Sequence, residues 1–150
     1  MIEEFLRNKG VKFKVHQHEL AYTAQETAAA EHVTGYMFAK TVIVTDGKQH
    51  YMLVLPAPYK VDIKKAKAAI GKKVKLAPEG STEGLFPECE VGAEPPFGSA
   101  YHMPTYVDSA LAEQENIVFR AGSHEKTIAM RYEDYARVES PEVGAFAARE

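Results

Sequence analysis

The segment YMFAKTVIVTDGKQHYMLVLP, residues 36–56, restricts the fold more than any other part of the chain. Two runs rich in β-branched and aromatic residues flank Asp46-Gly47, a pair that supplies the backbone a tight hairpin turn requires. The chain must therefore build an antiparallel strand pair and cover it. Alternation along the first run puts Phe38, Lys40, Val42 and Val44 on one face and Ala39, Thr41, Ile43 and Thr45 on the other. A lysine thus falls in an apolar row. An unpartnered buried ammonium is costly, so Lys40 either snorkels to water, pairs with a buried acid, or serves a site.

Around this hairpin the sequence punctuates itself. Ile2, Phe5 and Leu6 have helical spacing that stops at Gly10, and Lys12 to His16 alternates like a strand. Thr23-Ala24-Gln25-Glu26 is a capping box ahead of an alanine-rich helix that runs to His32. Asp62 caps a lysine-rich helix ending at Gly71, and Val74 to Leu76 is a short strand. Residues 77–104 hold five of the eight prolines and read as loop. So long a loop in a small chain is functional or disordered, and its aromatic residues argue for order. Thr105–Val107, Ile117–Arg120 and Thr127–Arg131 follow as strands and Tyr132–Val138 as a helix. The expectation is a single α+β domain over residues 1–150 around a mixed sheet, its tail loosely attached from about residue 140.

Length and charge narrow the function. With 150 residues the chain can bury a core without staples, and no run approaches the roughly 18 apolar residues of a membrane span. Cys89 is the only cysteine, which excludes an internal disulfide and points to a reducing cytoplasm. The net charge of −3 argues against a general coat for nucleic acid, and no DNA partner is expected. Yet residues 60–75 carry seven lysines against Asp62, a local +6 that leaves −9 elsewhere. A basic patch on an acidic body suits local phosphate contact, as well as a plainly solvated helix face.

Besides Lys40, two constellations could carry chemistry. Gly92-Ala93-Glu94-Pro95-Pro96-Phe97-Gly98 is a glycine-framed loop stiffened by two prolines, able to bring backbone N–H groups close to a ligand with little ordering cost. Gly122-Ser123-His124 follows a strand end, where a histidine can act as base or donor. His16 and His18 lack the companions of a metal site, so neither metal nor cofactor is expected. Cys89 sits between Glu88 and Glu90, which oppose a thiolate. No phosphate-binding glycine loop or nucleophile elbow occurs.

Taken together and in order, HELAYTAQETAAAEH, FAKTVIV, VLPAPYKVDIKKAKAAIG, GAEPPFG, VDSAL and AGSHEKTIAM resemble the YbaK/ProX aminoacyl-tRNA deacylases, relatives of the editing domain of bacterial prolyl-tRNA synthetase. The resemblance covers most of the chain. It implies a barrel-like mixed sheet with flanking helices and hydrolysis of the ester between a wrong amino acid and the terminal adenosine of a tRNA, with a synthetase as a further partner. It implies Lys40 as the functional lysine and Gly92 to Pro96 as the substrate loop; with the histidine after the strand, the expected catalytic residues are Lys40, Gly92 and His124. Substrate contacts fall to Thr23, Ala93, Pro95, Pro96, Phe97, Gly98, Gly122 and Ser123, and tRNA phosphate contacts to Lys64, Lys65 and Lys67. Cysteine-clearing members carry a glycine-lysine pair where Gly122-Ser123-His124 stands, so the amino acid removed is left open. The competing readings are a non-catalytic module that holds a tRNA acceptor end, and a small-molecule esterase or ester binder.

Overall fold

A computed structural model describes residues 2–17, 35–78, 80–82 and 84–148. Thr23, His18 and the expected helix from Thr23 to His32 lie outside the described residues. The described chain runs α1 (Ile2–Asn8), β1 (Lys14–Gln17), β2 (Ala39–Thr45), β3 (His50–Pro56), β4 (Lys60–Val61), α2 (Ile63–Ile70) and β5 (Lys75–Leu76). It continues with a 3-10 turn (Gly98–Tyr101), β6 (Thr105–Asp108), α3 (Ser109–Ala112), β7 (Asn116–Ser123), β8 (Lys126–Arg131), α4 (Tyr132–Glu139), β9 (Glu142–Gly144) and β10 (Ala147–Ala148).

The hairpin forms as its sequence requires. β2 and β3 pair antiparallel from Ala39 opposite Pro56 to Thr45 opposite His50, and Gly47 takes φ +98° at the turn. The Asp46 carboxylate accepts hydrogen bonds from the Lys48 and Gln49 amides at 2.8 Å and from the Tyr51 hydroxyl at 2.9 Å, which together hold its pKa down to about 2. Five strands assemble on this pair in the order β5-β2-β3-β6-β9, with β6 parallel to both of its neighbours. A three-stranded sheet β1-β8-β7 lies beside it and joins it through a single bridge between Phe38 and Val118. The barrel-like closure that the resemblance implies is not made by the described strands, because β5 and β9 end the larger sheet without pairing to each other. The α+β mixture itself is as expected.

Both faces of the five-stranded sheet are covered, which explains the unbroken apolar run of β3. Met52 and Val54 enter one core with α1, β7, β8 and Tyr135, while Tyr51, Leu53 and Leu55 enter a second with Ala66 of α2 and Phe146. Asp62 caps α2 by accepting the Lys65 amide at 3.2 Å, and Gly71 ends it in the left-handed region. No helix among the described residues is long and apolar enough to cross a membrane.

The tail corrects the sequence reading. Residues 142–148 are not loosely attached: β9 pairs with β6, β10 pairs with β4, and Phe146 is fully buried. The cause is Asp108, a buried carboxylate whose Oδ1 accepts the amides of Phe146 and Ala147, each at 2.9 Å, while Oδ2 caps α3 through the Ala110 amide. Asp108→Ala strands two buried donors and a cap together. It should lower unfolding free energy in a urea titration by about 2–4 kcal/mol, the sum of a lost cap and unsatisfied amides. A loss below about 0.5 kcal/mol would mean the tail is held by apolar contact alone.

Candidate active site

A cavity of about 150 Å³ opens between the start of β2, the loop after Val91 and the far end of β7. Its walls are Phe38, Ala39, Lys40, Thr41, Gly92, Glu94 and Arg120. Each wall is placed by a different local rule. In β2, the Phe38 carbonyl accepts from the Ala57 amide at 2.8 Å, so the even-numbered residues turn their backbone groups toward β3 and Thr41 turns its own away. β5 covers that outer edge only at Val44 and Thr45, with the Ala77 amide reaching Ile43. The N–H and C=O of Thr41 therefore project from an edge that no described strand covers.

Lys40 shares the face of Val42 and Val44 as its phase predicts, and lies opposite Leu55. It is half-buried, and no acid among the described residues lies within ion-pairing distance. Burial pushes its ammonium below the ordinary lysine range, and the nearby Lys60 adds to the effect. Among the described residues, then, Lys40 forms no buried ion pair. The structure also brings the start of the basic stretch, Lys60, within electrostatic reach of the cavity.

The loop opposite is held from behind. Gly92 has φ +83°, a conformation open to glycine at no steric cost, and its amide donates to Glu94 Oε1 at 3.1 Å. The Thr41 hydroxyl donates to the Glu94 carbonyl at 3.2 Å, tying loop to strand. Ala93 is buried between Gly92 and Glu94, and beyond Glu94 the chain turns inward, burying Pro95, Pro96, Phe97 and Gly98. Phe97 packs its ring 5.1–5.6 Å from those of Phe5, Phe119 and Tyr135, and the Tyr135 hydroxyl donates to the Pro96 carbonyl at 2.7 Å. Of the expected loop contacts, only Gly92 reaches the cavity. Ala93 and Pro95 to Gly98 form the anchor that shapes it, and a side chain at Gly98 would collide with the Met103 carbonyl.

Gly122, Ser123 and His124 belong to the same support. β7 bulges between Arg120 and Ser123, and Gly122 at φ +89° exchanges backbone hydrogen bonds with Glu90 and Ala93 at 2.8–2.9 Å. Glu90 accepts the His124 amide at 2.9 Å and bonds the Ser123 hydroxyl, contacts that lower its own pKa. The buried His124 ring sets Nε2 2.7 Å from the Val91 carbonyl, which can only accept, so Nε2 carries the proton. A Cβ on Gly92 would stand 3.4 Å from His124 Cε1. His124 therefore lies under the Gly92 turn and is not part of the cavity wall.

Two wall residues escaped the sequence reading. Arg120 is buried, its guanidinium 6.0 Å from the centre of the Phe38 ring, and Nη1 donates to the Gly92 carbonyl at 3.0 Å. Its signal was the one that exposed Lys40: a cation in phase with Val118 in an apolar strand. Glu94, read as a loop residue, is the only carboxylate on the cavity wall among the described residues. Cys89 lies outside this cavity, 3.4 Å from the Tyr101 hydroxyl, and burial raises its pKa with Glu94 and Glu88 adding to it, in place of the expected Glu90. No group of three metal-ligating side chains occurs among the described residues. Lys64, Lys65 and Lys67 are exposed on α2.

Against this geometry, the model of the aminoacyl-tRNA editing domain matches residues 18–138. The chain belongs to the aminoacyl-tRNA editing domain family. It is 26% identical over 147 residues to the multifunctional Ser/Thr-tRNA deacylase ProXp-y of Escherichia coli (strain K12), covering 94% of this chain and 87% of that protein. Among solved structures, hypothetical protein APE2540 superposes with a TM-score of 0.88 at 22% identity, over 98% of this chain and 99% of its own. A second, described as "a putative trans-editing enzyme for prolyl tRNA synthetase", gives 0.85 at 20% identity, over 99% and 95%. These two likenesses speak for the fold.

The lowered Lys40 value has a consequence for stability. In the alkaline window just under pH 10.5, the unfolded chain still binds a proton that the folded chain has released, so stability rises with pH there. Lys40→Met should abolish that rise and leave stability equal or higher near neutral pH, as read by urea titrations between about pH 8 and 10.5. A loss of about 3–5 kcal/mol would instead reveal a stranded buried acid.

Proposed function

We propose that this editing domain hydrolyses the ester of mischarged aminoacyl-tRNA in trans, with the amino acid in the Lys40–Gly92–Arg120 cavity and the terminal ribose at its mouth. The observation that carries the reading is the presence of both signs of charge on the walls of one small cavity, the cations Lys40 and Arg120 and the carboxylate Glu94. An aminoacyl-tRNA end has the complementary pattern, phosphate on the nucleotide and an ammonium on the amino acid. A cavity near 150 Å³ holds a group about the size of a benzene ring, which favours small amino acids such as those named for the Escherichia coli relative.

The reaction asks little covalent chemistry of the protein. Water adds to the ester carbonyl, the bond to the ribose oxygen breaks, and that oxygen takes a proton, leaving a free amino acid and a 3′-terminal hydroxyl. The protein's part is orientation and stabilisation of the oxyanion. Thr41 N–H, at the uncovered edge of β2, and the Lys40 ammonium are the donors for the developing charge. Glu94 receives the substrate ammonium, and Gly92 lets the backbone approach. Arg120 and His124 hold the Gly92 turn in place and act as positioning residues. Lys64, Lys65 and Lys67 meet tRNA phosphates, in a basic stretch whose first member, Lys60, already acts on Lys40. A synthetase is the natural donor of the mischarged substrate.

A panel of charged tRNAs decides the matter. The wild-type chain should clear at least one tRNA bearing a small wrong amino acid, and Lys40→Met should cut that rate by about 10²–10³, the usual loss when one preorganised electrostatic contact disappears. No turnover above background across the panel would leave only a holder of the acceptor end. Glu94→Gln tests the ammonium contact: KM should rise for free aminoacyl-tRNA while N-acetylated substrates are unaffected. Equal effects on both would remove Glu94 from that role.

A further inference from the structure

A second concavity, about 480 Å³, lies on the β1-β8-β7 sheet. Its floor is apolar, made by Met37, Val118 and Ala129, and its rim carries Lys12, Lys14 and Arg131. No acidic residue lines it among the described residues, although Glu133 pairs with Arg131 from outside at 3.1 Å. In a chain of net charge −3, three cations around an apolar floor form a local departure in sign. Membrane and protein partners use apolar floors too, but single-stranded nucleotides, whose bases can lie on an apolar floor while their phosphates meet cations at its rim, match both halves of this surface.

The groove also continues into the cavity already described. Met37 and Val118 line the groove, while their neighbours Phe38 and Arg120 line the cavity. The Val118 amide donates to the Met37 carbonyl at 3.1 Å, and the bridge from Phe38 to Val118 fixes the two segments side by side. Val118 and Arg120 stand on one face of β7, and two residues of strand advance about 6.7 Å, comparable with one step along a stretched nucleotide chain. A strand whose last ribose sits beside Arg120 therefore has its preceding nucleotides over Val118.

We infer that this groove binds the unpaired nucleotides preceding the 3′-terminal residue of a tRNA, with bases over Met37, Val118 and Ala129 and phosphates at Lys12, Lys14 and Arg131. The identity of the RNA end rests on the hydrolase reading; the groove's preference for single-stranded RNA does not. It is distinct from the lysines of α2, which would meet the stem.

The test is binding, which needs no turnover. A fluorescent RNA hairpin carrying a four-nucleotide unpaired 3′ tail is compared with the same hairpin trimmed flush, against wild type and the exposed double variant Lys12→Glu/Lys14→Glu, with melting temperatures as a folding control. Wild type should prefer the tailed hairpin. The double variant should lose about tenfold or more on the tailed hairpin only, and its salt slope should fall by about 1.4, two phosphate contacts at about 0.7 each. Wild-type affinity and slope in the variant would overturn the proposal, and so would equal loss on both hairpins, which would assign the lysines to the stem. A dimer in sedimentation that the double variant dissociates would also overturn it, giving the groove to a second copy. Failure of the hydrolase reading is separate: a chain that binds the tailed hairpin but clears no charged tRNA keeps the groove and loses the reaction.

Discussion

The burial of Phe97 is the interaction on which the rest of the site depends. Four aromatic rings converge there, Phe97 with Phe5, Phe119 and Tyr135, joining α1, β7 and α4 around one loop residue. Complete burial of such a side chain is worth about 1.5–3 kcal/mol, enough to fix a loop that has few internal hydrogen bonds. Polar contacts then set its direction. Tyr135 holds the Pro96 carbonyl, and the buried Glu139 accepts from the Ser99 amide and hydroxyl at 3.0 and 2.6 Å and from the Thr105 hydroxyl at 2.5 Å. With its second half fastened at these points, the loop can present only its first half, Gly92 to Glu94, to the cavity.

The cavity follows from where the two sheets part. They meet at the Phe38–Val118 bridge, and past that point β2 and β7 carry a cation each, Lys40 and Arg120, in rows that are apolar elsewhere. Arg120 spends part of its hydrogen-bonding capacity on the Gly92 carbonyl, whereas Lys40 has no acid beside it among the described residues. A desolvated ammonium without a counter-charge is a cost that folding alone does not explain. It becomes intelligible when a substrate supplies the charge.

Local signals were legible in the sequence and distant ones were not. Asp46-Gly47, Asp62 and Gly71 each act within a few residues, so their turn and caps could be read directly. The phase of Lys40 could also be read, because a two-residue period needs no knowledge of the partner strand. The tail failed for the opposite reason. Its anchor, Asp108, lies 38 residues before Phe146, and nothing near the tail announces it. Ala93 and Pro95 to Gly98 looked like a ligand loop throughout, since buried proline and phenylalanine cannot be told from exposed ones by composition. His124 was correctly drawn into the neighbourhood, but only its bond to the Val91 carbonyl shows that it supports the turn from beneath.

The central claim is that substrate charge is met in the cavity bounded by Lys40, Gly92, Glu94 and Arg120. The most direct measurement is amide chemical-shift mapping with an adenosine carrying a small amino acid through a non-hydrolysable amide at its 3′ position. The largest shifts should fall at Thr41, Gly92, Glu94 and Arg120, and Lys40→Met should weaken the response. Shifts confined to a third concavity, lined by Gln49, His50 and His102, or to the surroundings of Cys89, would contradict it.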